Sequence, residues 1–92
     1  MKLLSWNVAG LRARVKKNCL DFLQNEDFDV VCLQETKCEE HEIVLPDWIT
    51  NMYKHRFWNS TKGITQRKGL SGTSIWCKEE PIERIETPDF DL

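Results

Sequence analysis

The sequence contains no apolar run approaching the roughly 20 residues that a membrane-spanning helix needs. Its opening, Met1-Lys2-Leu3-Leu4-Ser5-Trp6-Asn7, is too short in apolar residues for a secretory signal, so an intracellular chain with no membrane partner is expected. Cys19, Cys32, Cys38 and Cys77 form no C-x-x-C pair, and a reducing compartment is the simplest reading. Cys38 and His41 have a C-x-x-H spacing, but structural zinc takes four such ligands and no second pair follows. With only three prolines and four glycines, collagen-like repeats and intrinsic disorder are disfavoured. No linker or internal repeat divides the 92 residues, so residues 1–92 read as part of a single domain.

Acids are missing from two stretches. Residues 1–18 carry Lys2, Arg12, Arg14, Lys16 and Lys17 without an acid, and residues 54–78 carry six bases without one. Residues 79–92 reverse this, with six acids against Arg84, and residues 19–53 carry nine acids against Lys37, so the whole chain has a net charge of −2. Two basic stretches that meet in the fold would present a positive surface to a polyanion; two solvated faces would explain the same charges.

Lys2–Asn7 is short, apolar-rich and closed by Gly10, which predicts a strand. From Arg12 to Asn25 the apolar residues Val15, Cys19, Phe22 and Leu23 fall on one helical face, so a helix is expected there. The run from Phe28 to Leu33 reads as a strand buried on both faces, as in a parallel sheet. Beyond it we expect a short helix within Glu39–Ile49 broken by Pro46, a strand at Tyr53–Trp58, a polar loop at Asn59–Gly69, a strand at Thr73–Lys78 and another starting in Ile82–Ile85. Trp6 and Trp76 are assigned to the core, and packing is favoured over base stacking for Trp58. A sheet of these few strands has little to cover it, and layered α/β folds bury both sheet faces. The sequence therefore reads as the opening of a larger domain.

Asn7 and Glu35 end the first two strands. If those strands are parallel, both side chains emerge at one sheet edge, where open α/β sheets place ligands. A carboxylate with an amide oxygen suits a hard cation such as Mg2+, which takes oxygen ligands and often only one or two carboxylates. Such an ion can stabilise charge developing on a phosphate oxygen. The same residues also suit a loop glutamate and a turn-forming asparagine.

Three blocks carry a resemblance: Ser5-Trp6-Asn7-Val8-Ala9-Gly10-Leu11-Arg12-Ala13, Leu33-Gln34-Glu35-Thr36-Lys37 and Gly69-Leu70-Ser71-Gly72. In this order and spacing they resemble the N-terminal motifs of the exonuclease III family of apurinic/apyrimidinic (AP) endonucleases, within the DNase I-like phosphodiesterases. The resemblance implies an α/β fold, the N-terminal part of a four-layer α/β sandwich with two mixed sheets, here incomplete. It also implies Mg2+-dependent hydrolysis, with Mn2+ as an alternative ion, of DNA 5′ to abasic sites in base excision repair, together with 3′-5′ exonuclease activity. For a eukaryotic chain it implies the nucleus. Carried over by position, Glu35 matches the metal-binding glutamate, and Asn7 lines the same metal and phosphate site. Arg12 and Lys16 lie where the family contacts the DNA backbone, Lys37 closes the block near the site, and Ser71 and Gly72 are expected nearby.

The sequence also departs from the family. Ala9 stands where many eukaryotic members have an acid, Leu70 where an aromatic is usual, and Thr73-Ser74 where a small apolar pair is usual. The later family motifs are a tyrosine in a Pro-Asn segment, a Gly-Asp-x-Asn block and a Ser-Asp-His, and none occurs here. Hydrolysis needs an activated, oriented water and a stabiliser of transition-state charge. The chain is thus expected to be inactive by itself. Two alternatives stay open: a relative hydrolysing inositol phosphates, sphingomyelin or RNA tails, or a non-catalytic binding fragment.

Overall fold

The computed structural model describes residues 1–59 and 72–81. The expected loop beyond Asn59, the strand starting in Ile82–Ile85, and Ser71 lie outside them. The described strands form one mixed sheet: β1 (Leu3–Asn7), β2 (Val30–Gln34), β3 (His55–Asn59) and β4 (Thr73–Cys77), in the order β1-β2-β4-β3. β1 and β2 are parallel and β4 runs antiparallel to both of its neighbours.

Period-two alternation decides which residues of each strand turn inward. Leu4 and Trp6 of β1, Val31 and Leu33 of β2, Ser74 and Trp76 of β4 and Trp58 of β3 face a helical layer. There they meet Val8, Leu11, Leu20, Leu23, Cys38, Ile49 and Tyr53 in one core cluster. Trp76 is fully buried between Tyr53 and Trp58, with ring centroids 6.2 and 6.4 Å away. Its indole N–H donates to Ser74 Oγ at 2.8 Å, and that hydroxyl donates to the Phe57 carbonyl at 2.9 Å. A buried hydroxyl without partners would cost about 1–3 kcal/mol, so this relay lets Ser74 stand in the core.

Two helical expectations are corrected. The stretch from Arg12 to Asn25 is not one helix but α1 (Leu11–Lys16), a turn, and a 3-10 turn at Asp21–Gln24. The break lies at Asn18, whose φ of 59° is left-handed, a conformation asparagine tolerates better than most residues. The break also changes which residues are buried: Leu20 joins the expected Leu23 in the core, while Phe22 stays 40% exposed and meets Trp6 edge-on at 5.6 Å. Pro46 does not break a helix but precedes one. α2 (Asp47–Met52) begins immediately after it, because proline needs no N–H partner at a helix start, and Glu40–Glu42 forms only a 3-10 turn.

β2 is also less covered than expected. Val31 and Leu33 are fully buried, but Val30 and Cys32 on the opposite face are half-buried. Register aligns that outward face into three rows across the sheet. These are Leu3–Val30–Cys77–His55, then Ser5–Cys32–Ile75–Phe57, then Asn7–Gln34–Thr73–Asn59. The first two rows are largely apolar and the last wholly polar. That polar row marks the edge from which the loops after β1 and β2 emerge.

Candidate functional site

Parallel pairing sets Asn7 directly opposite Gln34, so Glu35 follows at the same edge. The structure brings the two expected site residues into contact. Asn7 Nδ2 donates to Glu35 Oε2 at 2.5 Å, while Asn7 Oδ1 accepts the Ala9 N–H at 3.0 Å. Both ends of the amide are therefore assigned. The N–H end orients the carboxylate and the oxygen end shapes the turn at Ala9.

The parallel ladder continues past the strand ends as a seam. Val8 N–H donates to the Gln34 carbonyl at 2.9 Å, Gly10 to that of Glu35 at 2.8 Å and Leu11 to that of Thr36 at 2.9 Å. On the other flank the Thr36 N–H donates to the Gly72 carbonyl at 3.1 Å. Held from both sides, the loop sustains a local concentration of strain. Ala9, Glu35 and Lys37 have φ of 48°, 52° and 56°. Each left-handed, non-glycine residue costs about 1–2 kcal/mol, and such strain persists only where neighbours over-determine it. Gly10 and Gly72 take φ of 100° and 118°, where a Cβ would be strained.

Arg12, in the first turn of α1, is exposed and donates from Nη2 to the Lys37 carbonyl at 3.3 Å. Lys37 is exposed, and its side-chain Cδ passes 4.0 Å from where a Gly10 Cβ would sit. Lys16, also exposed, lies one turn beyond Arg12 on the same helix face. Arg14 is half-buried and structural, donating from Nε to the Val8 carbonyl at 2.8 Å. Sequence reasoning missed Thr36. It is buried beside Glu35, and only the pairing of β2 with β4 reveals its tie to Gly72.

The donor set fits a hard divalent cation. Glu35 is half-buried, its Oε2 is already oriented by Asn7, and among the described residues nothing bonds its Oε1. Asn7 Oδ1 keeps a second lone pair beyond the Ala9 contact. A second group, Glu39, His41 and Glu42, places its ligand atoms within 4.8 Å of one another. Reciprocal capping of the 3-10 turn accounts for the two carboxylates there. The Cys38 thiol, paired with His41 by spacing alone, is instead buried in the core, and burial pushes its pKa up. Cys32 is shifted the same way, so neither is an activated thiol. Trp58 packs on the core as expected. Among the described residues, no helix is long and apolar enough to cross a membrane.

Comparison with known proteins agrees with the resemblance. The DNA repair nuclease APEX1 of Danio rerio is 51% identical over 84 residues, covering 89% of this chain and 26% of that protein. The exodeoxyribonuclease of Bacillus subtilis (strain 168) is 43% identical over 86 residues, covering 92% of the chain and 31% of its own length. The chain thus spans between a quarter and a third of these relatives. The structure of an AP endonuclease from Archaeoglobus fulgidus superposes with a TM-score of 0.65 at 28% identity, over 88% of this chain and 28% of that one. The sheet and its helices are therefore one part of a DNase I-like α/β sandwich. The profile of the endonuclease/exonuclease/phosphatase family matches residues 4–92, and with the first two motifs now meeting at one sheet edge, the chain belongs to that family.

Proposed function

We propose that this chain supplies the cation-binding half of a DNA phosphodiesterase site that cuts 5′ to abasic sites, within a longer single-domain repair nuclease. The contact between Asn7 and Glu35 at the C-terminal edge of β1 and β2 carries this reading. Nuclease relatives in zebrafish and Bacillus support it. Glu35 would hold Mg2+ or Mn2+ through its carboxylate, with Asn7 fixing that carboxylate and offering its remaining lone pair. The bound cation would supply Lewis-acid stabilisation of charge on the scissile phosphate.

The chain's own residues do the rest of the work available here. Arg12, Lys16 and Lys37, all exposed, would neutralise phosphates of the DNA strand. Hydrogen bonds on both flanks keep Glu35 from moving when substrate arrives, which is how preorganised sites avoid reorganisation during reaction. The group that activates and orients the attacking water would be supplied by the family's later motifs. Base excision repair places such a protein with the DNA, in the nucleus of a eukaryote.

The test is incision of a duplex bearing one abasic site by the protein carrying these residues with the family's later motifs, at limiting Mg2+. Glu35→Ala should cut incision at least about 100-fold, as loss of a principal electrostatic group does. Unchanged incision would remove Glu35 from the site. Cleavage of an inositol phosphate or RNA, but not of abasic DNA, would reassign the substrate.

A further inference from the structure

Three consecutive residues of the α1 start bind three consecutive carbonyls of the Glu35 loop. Gly10 N–H meets Glu35 O, Leu11 N–H meets Thr36 O, and the Arg12 guanidinium meets Lys37 O. The first two contacts are made by backbone N–H groups. The third depends on a side chain, and it lands on a residue held at φ 56°. Resting on the cation role proposed for Glu35, the geometry points to Arg12 as a positioning residue for that carboxylate as well as a phosphate contact. Its grip on the Lys37 carbonyl completes the left-handed turn that aims Glu35.

A guanidinium has five N–H donors in a planar fork, so one can hold a carbonyl while others meet a phosphate oxygen. A phosphate docked on Arg12 fixes the guanidinium and thereby the Lys37 carbonyl. A cation on Glu35 fixes the same loop from its other end. Two ligands that order one element bind cooperatively, and the coupling is reciprocal. DNA and cation would then each tighten the other through Arg12, beyond their direct attraction.

Charge and positioning predict opposite signs, which makes the idea testable without activity. Removing a positive side chain near a cation site should, by Coulomb attraction alone, tighten cation binding. If Arg12 positions Glu35, Arg12→Ala should instead raise the Kd for Mn2+ about tenfold in the absence of DNA, the lower end of what losing an outer-shell partner costs. Binding is read from the free Mn2+ electron paramagnetic resonance signal. Arg12→Lys keeps the charge but lacks the fork, and should fall between the wild type and Arg12→Ala. Lys17→Ala, which removes an exposed base at the other end of α1, should leave the Kd unchanged or slightly lower.

If wild-type binding depends on Glu35 but Arg12→Ala is unchanged or tighter, the positioning role is overturned and the cation site stands. If wild-type Mn2+ binding is absent or indifferent to Glu35→Ala, the proposed function and this inference fall together. A second reading uses duplex DNA. The factor by which Mn2+ tightens DNA binding, read by fluorescence anisotropy, should shrink toward one in Arg12→Ala, and an undiminished factor would refute the coupling.

Discussion

Replacing Asn7 by aspartate is the sharpest probe of the Asn7–Glu35 contact. The substitution is isosteric and preserves the acceptor for the Ala9 N–H, so only the contact to Glu35 Oε2 at 2.5 Å changes character. At that separation two unit charges repel by about 7 kcal/mol at an effective dielectric of about 20, and by about 2 kcal/mol in bulk water. Asn7 is exposed and Glu35 half-buried, so the lower part of that range applies, and the side chains will separate to reduce it further. Asn7→Asp should therefore destabilise the metal-free protein by about 1–2 kcal/mol at about pH 8, and by less at an acidic pH, since two adjacent carboxylates resist being ionised together. Excess Mn2+ should reverse the sign of the effect, since two carboxylates then face one cation and a ligand that binds the folded state stabilises it. The assay is urea unfolding followed by tryptophan fluorescence, in chelator and then in Mn2+, at both pH values. A deficit independent of pH, with no rescue by Mn2+, would refute the adjacency of the two groups.

Two further predictions concern the scaffold. Gly72→Ala should destabilise by about 1–2 kcal/mol, because φ 118° is strained for any side chain and the Gly72 carbonyl secures Thr36 beside Glu35; an unchanged urea midpoint would show that the seam does not need this conformation. Burial raises the pKa values of the Cys32, Cys38 and Cys77 thiols and of the Tyr53 phenol. For a folded-state pKa raised above its unfolded value, the stabilising contribution is present below the unfolded value and lost as pH rises. Stability should thus decline from about pH 8.5 upward, and a flat alkaline profile would refute it. Asp27 behaves oppositely. Its hydrogen bond and ion pair with Lys78 hold its pKa below the usual range, so its contribution is present at neutral pH and lost on acidification through the lowered value. Lys78→Ala should flatten that acid limb of the urea midpoint, and an unaltered acid limb would discount the pair.

Local sequence determined the strand cores. The runs Leu3–Asn7 and Thr73–Cys77 lie within the stretches expected from residue type, Val30–Gln34 overruns the expected Phe28–Leu33 by one residue, and the strand expected at Tyr53–Trp58 begins two residues later and ends one later, at His55–Asn59. Glu35 and Asn7 were legible as a pair because parallel strands bring their C-terminal ends to one edge, a consequence of connection topology that the strand–helix–strand pattern already implies. What the sequence could not decide was set by contacts between distant residues. The helix expected through Asn25 ends at Lys16, with Asn18 in a left-handed turn, and Leu20 turns inward beside Leu23 in place of Phe22, overriding an apolar periodicity that fitted Val15, Cys19, Phe22 and Leu23. The sequence also could not show that the Asn7 amide nitrogen meets Glu35 while its oxygen accepts the Ala9 N–H. The strain at Ala9, Glu35 and Lys37, the support from Thr36 and Gly72, and the reach of Arg12 to the Lys37 carbonyl all arise from pairing across 25 or more positions of chain. Residue types specify which groups are available for chemistry; only the closed seam between β1, β2 and β4 specifies where those groups point.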